Sequence, residues 1–333
     1  MTNPRVAHAS APLRLDFAGG WTDVPPFSQR EGGLVVNTTI GLYAHASVEP
    51  GGEGILLTSL DLNDQMRVSG PEDLHPRGRL ALLQSAVKRF PVGPCEVISR
   101  SEAPSGSGLG SSGALDVALV SALRHSRGEP FDRADIAHSA WQIEVEDAGL
   151  AGGKQDQYAA ALGGFRAMTF RDSDVETESL TLDEAFTEHL RRHLLLCYTG
   201  TSRVSADTIA RVMGGYARGD SGITGALQRL KETAAAMRGA LCAADLPRVG
   251  RLLSENWRNQ CQLDSRMQTG PMARLERAMA DAGVLGGKAA GAGAGGCMFF
   301  LCPSDPGLAA QAARAVGATI LDVNLVGEGV RVW

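Results

Sequence analysis

The sequence predicts an α+β fold built in two halves, and three observations carry that expectation. Short β-rich runs and amphipathic helical runs follow one another without the regular strand–helix alternation of a wholly parallel sheet. Each half holds one glycine-rich stretch, at 104–113 and at 286–296. Between them the segment 172–184 is acidic and turn-like, which sets a boundary between a domain at 1–175 and another at 185–333.

Taken in order, Leu13–Phe17 alternates with period two and reads as a strand. The following Gly19-Gly20-Trp21-Thr22-Asp23-Val24-Pro25-Pro26 cannot extend it, because Gly-Gly and Pro-Pro both interrupt a ladder. Two separate β-rich runs span 34–40 and 43–48, and 55–60 with 65–68 suggest a hairpin around Asp61-Leu62-Asn63-Asp64. Residues 79–89 are amphipathic and helical. Cys95–Ile98 is a β-branched run that leads into the first glycine stretch, after which Leu115, Leu119, Ala122 and Leu123 share a helix face. A helix from Asp132 to about Gly149 and a strand at 165–170 complete the first half. The second half opens with a strand at 194–198 and continues with helices at 206–216, 223–243, 247–259 and 271–282. A strand at 297–301, a helix at 306–316 and a closing strand at 329–333 follow. No tandem repeat interrupts this order.

Composition excludes several function classes. With 44% hydrophobic residues and a net charge of −5, the chain suits a globular protein and argues against nucleic acid as a partner. No run approaches the roughly 18 apolar residues of a membrane span, and Met1–Ser10 has no signal-like apolar core, so a cytoplasmic location is expected. Cys95, Cys197, Cys242, Cys261, Cys297 and Cys302 show neither C-x-x-C nor a paired metal spacing, so reduced thiols are expected. His189 and His193 could share a helix face, but without further ligand types nearby they read as a solvated surface.

The first glycine stretch, Pro104-Ser105-Gly106-Ser107-Gly108-Leu109-Gly110-Ser111-Ser112-Gly113, is the strongest chemical signal. Glycines let backbone N–H groups approach an anion, and the helix behind them points its positive end at the same spot. Ser111 and Ser112 put hydroxyls where phosphate oxygens and Mg²⁺ would lie. A Walker A loop is excluded because no lysine follows the glycines. Gly108, Gly110 and Gly113 formally match the dinucleotide pattern G-x-G-x-x-G, but another helix follows instead of the required second strand.

Carboxylates supply the remaining candidates. Asp23 sits in a rigid turn, where it either accepts hydrogen bonds from sugar hydroxyls or caps its own turn. Glu144 lies late in a helix and reads locally as either a solvated side chain or a ligand. Asp156 follows Gly152-Gly153-Lys154, where the backbone can come close to a bound molecule.

Pro-x-x-x-Gly-Leu-Gly-Ser-Ser resembles the central motif of the GHMP kinases, the family of galactokinase, homoserine kinase, mevalonate kinase and phosphomevalonate kinase. Pro12 to Asp23 resembles the family's first motif, with the same nine-residue interval from Arg14 to Asp23 as in galactokinases. Where galactokinases have Glu-His, this chain has Gly20-Trp21, which argues against galactose. Glu144 precedes Asp156 by the twelve residues found in sugar kinases of the family. Gly286–Gly296 resembles the third motif, with Ala290 and Ala294 at positions usually held by serine and glycine.

The resemblance implies a ribosomal protein S5 domain 2-like N-terminal domain, a ferredoxin-like α/β sandwich after it, and ATP and sugar in the cleft between. It implies that Arg14 and Lys154 act with Asp156 in phosphoryl transfer, Asp156 orienting or deprotonating the sugar hydroxyl. It also implies that Gly20, Trp21, Thr22 and Asp23 meet the sugar, that Pro104, Gly106–Gly110, Ser111 and Ser112 hold ATP, and that Glu144 with Ser112 or Ser111 holds Mg²⁺. Ala-Gly-Gly-x-Thr-Asp-Val, Gly-Gly-Lys-Gln-Asp-Gln-Tyr, the run Tyr198-Thr199-Gly200-Thr201-Ser202-Arg203 and Trp333 look like the branch that phosphorylates the anomeric hydroxyl of a heptose 7-phosphate. In that branch a third glycine usually stands where Trp21 does, and Gly-Gly-Trp-Thr-Asp looks more like L-fucose kinases. Arg203, flanked by small and hydroxyl residues, is the candidate for the sugar's terminal phosphate, or else a solvent-facing arginine at a helix start. A homodimer is compatible with the pattern, and a sugar-binding regulator without turnover is the rival from another class.

Overall fold

A computed structural model describes residues 5–172, 174–200 and 206–333. Alternating side chains with both faces covered turn the first fifty residues into two long paired strands. These are β1 (Ala7–Ala18) and, after the short helix α1 (Phe27–Glu31), β2 (Gly33–Pro50). They are antiparallel, with Arg14 opposite Thr39, and the register shifts between Pro12 and Leu13 and between Asp16 and Ala18. The runs expected as separate strands at 34–40 and 43–48 are thus one strand, because Gly41 and Leu42 continue it through the first irregularity. The second irregularity lies beside Asp16, and bulges of this kind re-aim side chains next to functional sites.

Strands β3 (Ile55–Ser59) and β4 (Asp64–Val68) form the expected hairpin. Helix α2 (Ala81–Arg89) leads to β5 (Cys95–Ser101), which pairs with one end of β2 and runs parallel to β3. Helix α3 (Ser111–Ser126) packs on β1 and β2. Helix α4 (Arg133–Gln142) ends in a π-helical turn at Ile143–Asp147, where the N–H of Ala148 donates to the carbonyl of Ile143 at 2.9 Å. The straight helix expected to Gly149 is therefore re-aimed at Glu144, and such turns cluster at functional sites. Helix α5 (Gln155–Leu162) follows, then β6 (Arg166–Arg171), which pairs with the other end of β2. The acidic segment expected as turns instead carries the edge strand β7 (Asp174–Ser179), paired with β6 and mostly exposed. Charged side chains suit such an edge, since they discourage further strand addition.

After α6 (Glu184–His193), β8 (Leu194–Tyr198) opens a second, antiparallel sheet. Helices α7 (Ala206–Ala217), α8 (Ser221–Cys242), α9 (Leu246–Cys261) and α10 (Gly270–Asp281) precede β9 (Gly286–Ala289) and β10 (Cys297–Leu301). Helix α11 (Gly307–Ala315) and β11 (Thr319–Leu321) complete this half, whose strand order is β11-β8-β10-β9. The chain then returns to the first sheet, where β12 (Arg331–Val332) pairs with β1.

The halves share a core. Phe17 is fully buried between Phe165 at 5.7 Å and Phe299 of β10 at 5.3 Å between ring centroids. Helix α8 packs on α9 and reaches β2. All six cysteines are free, and burial raises the Cys197 and Cys297 thiols to about 12, so they behave as small apolar groups. Among the described residues no helix is long and apolar enough to cross a membrane.

Candidate active site

The glycine stretch at 104–113 forms a loop in which Gly106, Gly108 and Gly110 take left-handed backbone angles of 70°, 74° and 77°. This alternation turns successive N–H groups to one side. It ends at α3, whose N-terminus has no side-chain cap, so its first-turn donors remain available to an anion. The second glycine stretch is the loop's platform. The Cys297 N–H donates to the Ser107 carbonyl at 2.7 Å, and a Cβ on Gly291 would overlap the Gly108 carbonyl. Pro104 and Leu109 serve the loop's shape. Pro104 accepts a turn hydrogen bond from Ser107, and the Leu109 side chain is wholly in the core.

Arg14 projects from β1 under this loop. Its Nε donates to Asp156 Oδ1 at 2.8 Å, and Nη1 donates to the carbonyls of Gly108 at 2.7 Å and Ala290 at 2.9 Å. One guanidinium thus joins the first strand, both glycine stretches and the start of α5. Nη2 makes no hydrogen bond among the described residues. Asp156 lies in the first turn of α5, where a carboxylate suits the helix dipole. Gly113 permits this approach, since a Cβ there would stand 2.7 Å from the Cβ of Asp156.

Glu144 accepts hydrogen bonds from Ser112 and from Gln157 Nε2. Burial raises its carboxyl to about 7, the charge of Asp156 adds, and the two hydrogen bonds oppose. Ser112 and Glu144 thereby present two oxygen donors together. Hard oxygen ligands suit Mg²⁺, which keeps several waters and takes phosphate oxygens. No group of three or more His, Cys, Asp or Glu side chains suited to a metal occurs among the described residues. The donor set therefore fits Mg²⁺ held largely by phosphate and water.

Asp23 is 3% exposed, and its Oδ2 accepts from the N–H of Gln155 at 3.1 Å. Burial raises its carboxyl to about 6, with the charges of Asp156 and Asp16 adding and the Gln155 hydrogen bond opposing. Gly153 has to be glycine here, because a Cβ would overlap Asp23 Oδ2. Changing Gly153→Ala should displace Asp23 and raise KM for the acceptor about tenfold, the worth of one strong hydrogen bond. Steady-state kinetics should find KM for the nucleotide unchanged.

Two cavities meet at these residues. One is lined by Gly20, Trp21, Asp23 and Gln155, the other by the glycine loop with Asp61, Leu62 and Arg79. Arg14, Ser112, Asp156 and Ala292 line both. The arrangement can hold a phosphate chain along one cavity and a hydroxyl-bearing acceptor in the other, with Arg14 and Asp156 at the junction.

The family model for the GHMP kinases N terminal domain matches residues 79–164, and that for the GHMP kinases C terminal domain matches residues 237–320. Over 338 aligned residues the chain is 32% identical to D-glycero-alpha-D-manno-heptose 7-phosphate kinase of Campylobacter jejuni, covering 99% of each. The chain belongs to the GHMP kinases. It is also 27% identical, over 91% of its length and 35% of the relative's, to the L-fucokinase/L-fucose-1-P guanylyltransferase of Bacteroides fragilis. A solved D-glycero-D-manno-heptose 1-phosphate kinase from Bacteroides thetaiotaomicron superimposes with a TM-score of 0.80 at 26% identity, covering 98% of each chain. The two-domain GHMP kinase fold and a kinase activity follow from these matches.

Some residues expected at the site are elsewhere in this kinase. Thr22 is fully buried, and its hydroxyl lies 2.7 Å from the Gly19 carbonyl and accepts from the Leu34 N–H at 3.0 Å. It braces the turn and does not line the cavity that Asp23 lines. The Lys154 ammonium stands 4.5 Å over the Trp141 ring, in the field of Asp172, Asp174 and Glu146, and lines neither of the two cavities. Burial lowers its pKa. Arg203 lies outside the described residues. Trp21 adopts φ 80°, a left-handed angle that explains a glycine preference at this position. Here an indole takes that angle and lines the acceptor cavity.

Sequence reasoning missed Asp16, Gln155, Gln157, Lys288 and Asp116. Asp16 was findable, since it lies two residues after Arg14 on a strand and so on the same face. Asp116, four residues after Ser112 on α3, is fully buried, and neither of its carboxyl oxygens has a protein partner among the described residues. Burial, then the charge of Glu144, raises its pKa well above the usual range.

Proposed function

We propose that this GHMP kinase transfers the γ-phosphoryl group of ATP to the anomeric hydroxyl of a heptose 7-phosphate, giving the 1,7-bisphosphate. The observation that carries the reading is the junction of the two cavities at Arg14, Ser112 and Asp156. ATP lies along the glycine loop, its phosphates on the α3 N-terminus and the loop N–H groups. Asp23 accepts a hydrogen bond from a sugar hydroxyl and so fixes the ring. Asp156, held by Arg14, orients the anomeric hydroxyl and takes its proton. Arg14 Nη2 steadies the transferred phosphoryl group. Ser112 and Glu144 would hold Mg²⁺, whose charge would offset that of the phosphates. The similarity to a heptose 7-phosphate kinase over the whole chain supports the substrate class.

In this reading Arg203 meets the terminal phosphate. It precedes α7, whose Ile209 lines the acceptor cavity. Arg203→Ala should raise KM for the heptose 7-phosphate about 10- to 150-fold, the worth of a charge-assisted hydrogen bond, with KM for ATP nearly unchanged. Equal losses toward both substrates would reject that role.

A second reading, an anomeric kinase for an unphosphorylated sugar such as L-fucose, is favoured by two features. Trp21 matches the Gly-Gly-Trp-Thr-Asp pattern, and Asp16, Asp23, Glu144 and Asp156 make the acceptor cavity acidic. Measuring ADP release over a panel of aldoses and their terminal phosphates decides between the two. Turnover of heptose 7-phosphate far above free sugars supports the first, and preference for L-fucose overturns it. ATP binding without turnover of any sugar would leave a regulator.

A further inference from the structure

The acceptor cavity holds more polar groups than phosphoryl transfer uses. Asp16 is 1% exposed and lines it, yet plays no part in the junction at Arg14 and Asp156. Lys288, fully buried on β9 of the second sheet, donates to the Asp16 carbonyl at 2.5 Å and to Asp16 Oδ2 at 2.8 Å. That leaves Asp16 Oδ1 with no partner among the described residues. Gln155 Oε1, Asp23 Oδ1 and Trp21 Nε1 are likewise buried and unpartnered among the described residues, and all belong to residues lining this one cavity. Gly20 binds the set together, because a Cβ on it would overlap Asp16 Oδ2 and lie 3.2 Å from Gln155 Nε2.

Burying a polar atom without a partner is costly, and a buried ion pair contributes little to stability beyond what an apolar pair would. Four such atoms on residues that line one cavity therefore point to a ligand. The chemistry of the set narrows that ligand. Three orphan acceptors, two of them on carboxylates, call for donors and repel an anion. One orphan donor calls for an oxygen acceptor. Hydroxyl groups of an uncharged ring portion satisfy both requirements.

We propose that Asp16, anchored by Lys288, and Gln155 are specificity-determining residues that accept hydrogen bonds from ring hydroxyls of the acceptor sugar, while the Trp21 indole N–H donates to a ring or hydroxyl oxygen. The proposal rests on the reading that this cavity holds the sugar. Lys288 is a positioning residue: it reaches from the second sheet and fixes the Asp16 carboxylate without touching the substrate. The recognition surface is consequently completed only where the two halves of the kinase meet.

The test pairs variants with deoxy sugars. Asp16→Leu combined with Lys288→Met replaces the buried ion pair by apolar groups of similar size and so preserves folding, checked by the denaturation midpoint. Gln155→Met is an independent variant that keeps length and removes the amide. Each is assayed with D-glycero-D-manno-heptose 7-phosphate and its 2-, 3- and 4-deoxy analogues. The parent should lose about 10- to 150-fold in kcat/KM for the analogue lacking the hydroxyl that Asp16 reads. The Asp16→Leu/Lys288→Met variant should lose that preference, with KM for ATP within twofold of the parent. Gln155→Met should erase a smaller preference, about 2- to 10-fold, at a different hydroxyl. A variant that slows every analogue by the same factor, or leaves all preferences intact, overturns the proposal. If the parent turns over L-fucose and no heptose 7-phosphate, the substrate reading fails. The same series run with L-fucose and its 2-, 3- and 4-deoxy analogues then decides the proposal separately. An absence of turnover with both sugars overturns both.

Discussion

Asp156→Asn should lower kcat about 10²- to 10⁴-fold, the usual worth of a positioned general base. The substitution keeps size and an oxygen that Arg14 Nε can still bond, so the 2.8 Å contact that steadies the site need not be lost. What disappears is the charge that, in the proposed function, orients the acceptor hydroxyl and receives its proton. ATP affinity, which the proposed function assigns to the glycine loop and the α3 N-terminus, should stay near the parent value. Steady-state ADP release with an independent nucleotide-binding measurement separates the two effects. Activity within a few-fold of the parent would remove Asp156 from the chemistry and leave it as the partner that holds Arg14.

Glu144→Gln should cut kcat sharply and raise the Mg²⁺ needed for half-maximal rate by at least the 10- to 100-fold typical of disturbing a metal site, with sugar affinity nearly intact. An unchanged Mg²⁺ titration would return Glu144 to a role in packing. The same group carries a pH signature. Its folded pKa of about 7 lies above the ordinary 4.5, so between those values the folded protein holds more protons than the unfolded chain. Stability in the absence of metal should then fall as pH rises through that window, and Asp23, raised from 3.8 to about 6, acts in the same direction. Mg²⁺ binding should strengthen as pH rises toward about 7 and level off above it, because the ligand must be ionised. Thermal unfolding without Mg²⁺ at pH 5.5 and 8 checks the sign. Glu144→Gln should melt higher than the parent at pH 8 and show a weaker pH dependence, since it removes a buried charge. A parent protein that is more stable at pH 8 than at pH 5.5 would contradict this account.

Much of the site was legible from spacing because the relevant signals are local. Glycines before an amphipathic helix announce a loop with free N–H groups, whatever the rest of the chain does. The intervals from Arg14 to Asp23 and from Glu144 to Asp156 identify the family, and period-two runs identify the strands. What local pattern could not decide is which side chains face the cavity. Thr22 and Asp23 are neighbours in a turn, yet one hydroxyl is consumed by backbone while one carboxylate lines the cleft. Lys154 sits two residues from Asp156, but Trp141 near the end of α4 lies beneath its ammonium and Glu146 of the π-helical turn adds its field.

The remaining decisions are long-range and belong to the tertiary structure alone. Arg14 meets Asp156 across 142 positions, and Lys288 meets Asp16 across 272. Such pairings are set by sheet register and by the packing of one half on the other, where burial removes water as a competing partner. Residue types and intervals alone determined that this chain is a GHMP kinase with a glycine-rich loop before a helix and carboxylates at the family's spacing. Only the packed core decided that Asp16 and Gln155 line one cavity with Asp23 and that Lys288 anchors Asp16, because a buried polar group finds its partner in space and leaves no periodic trace in the sequence.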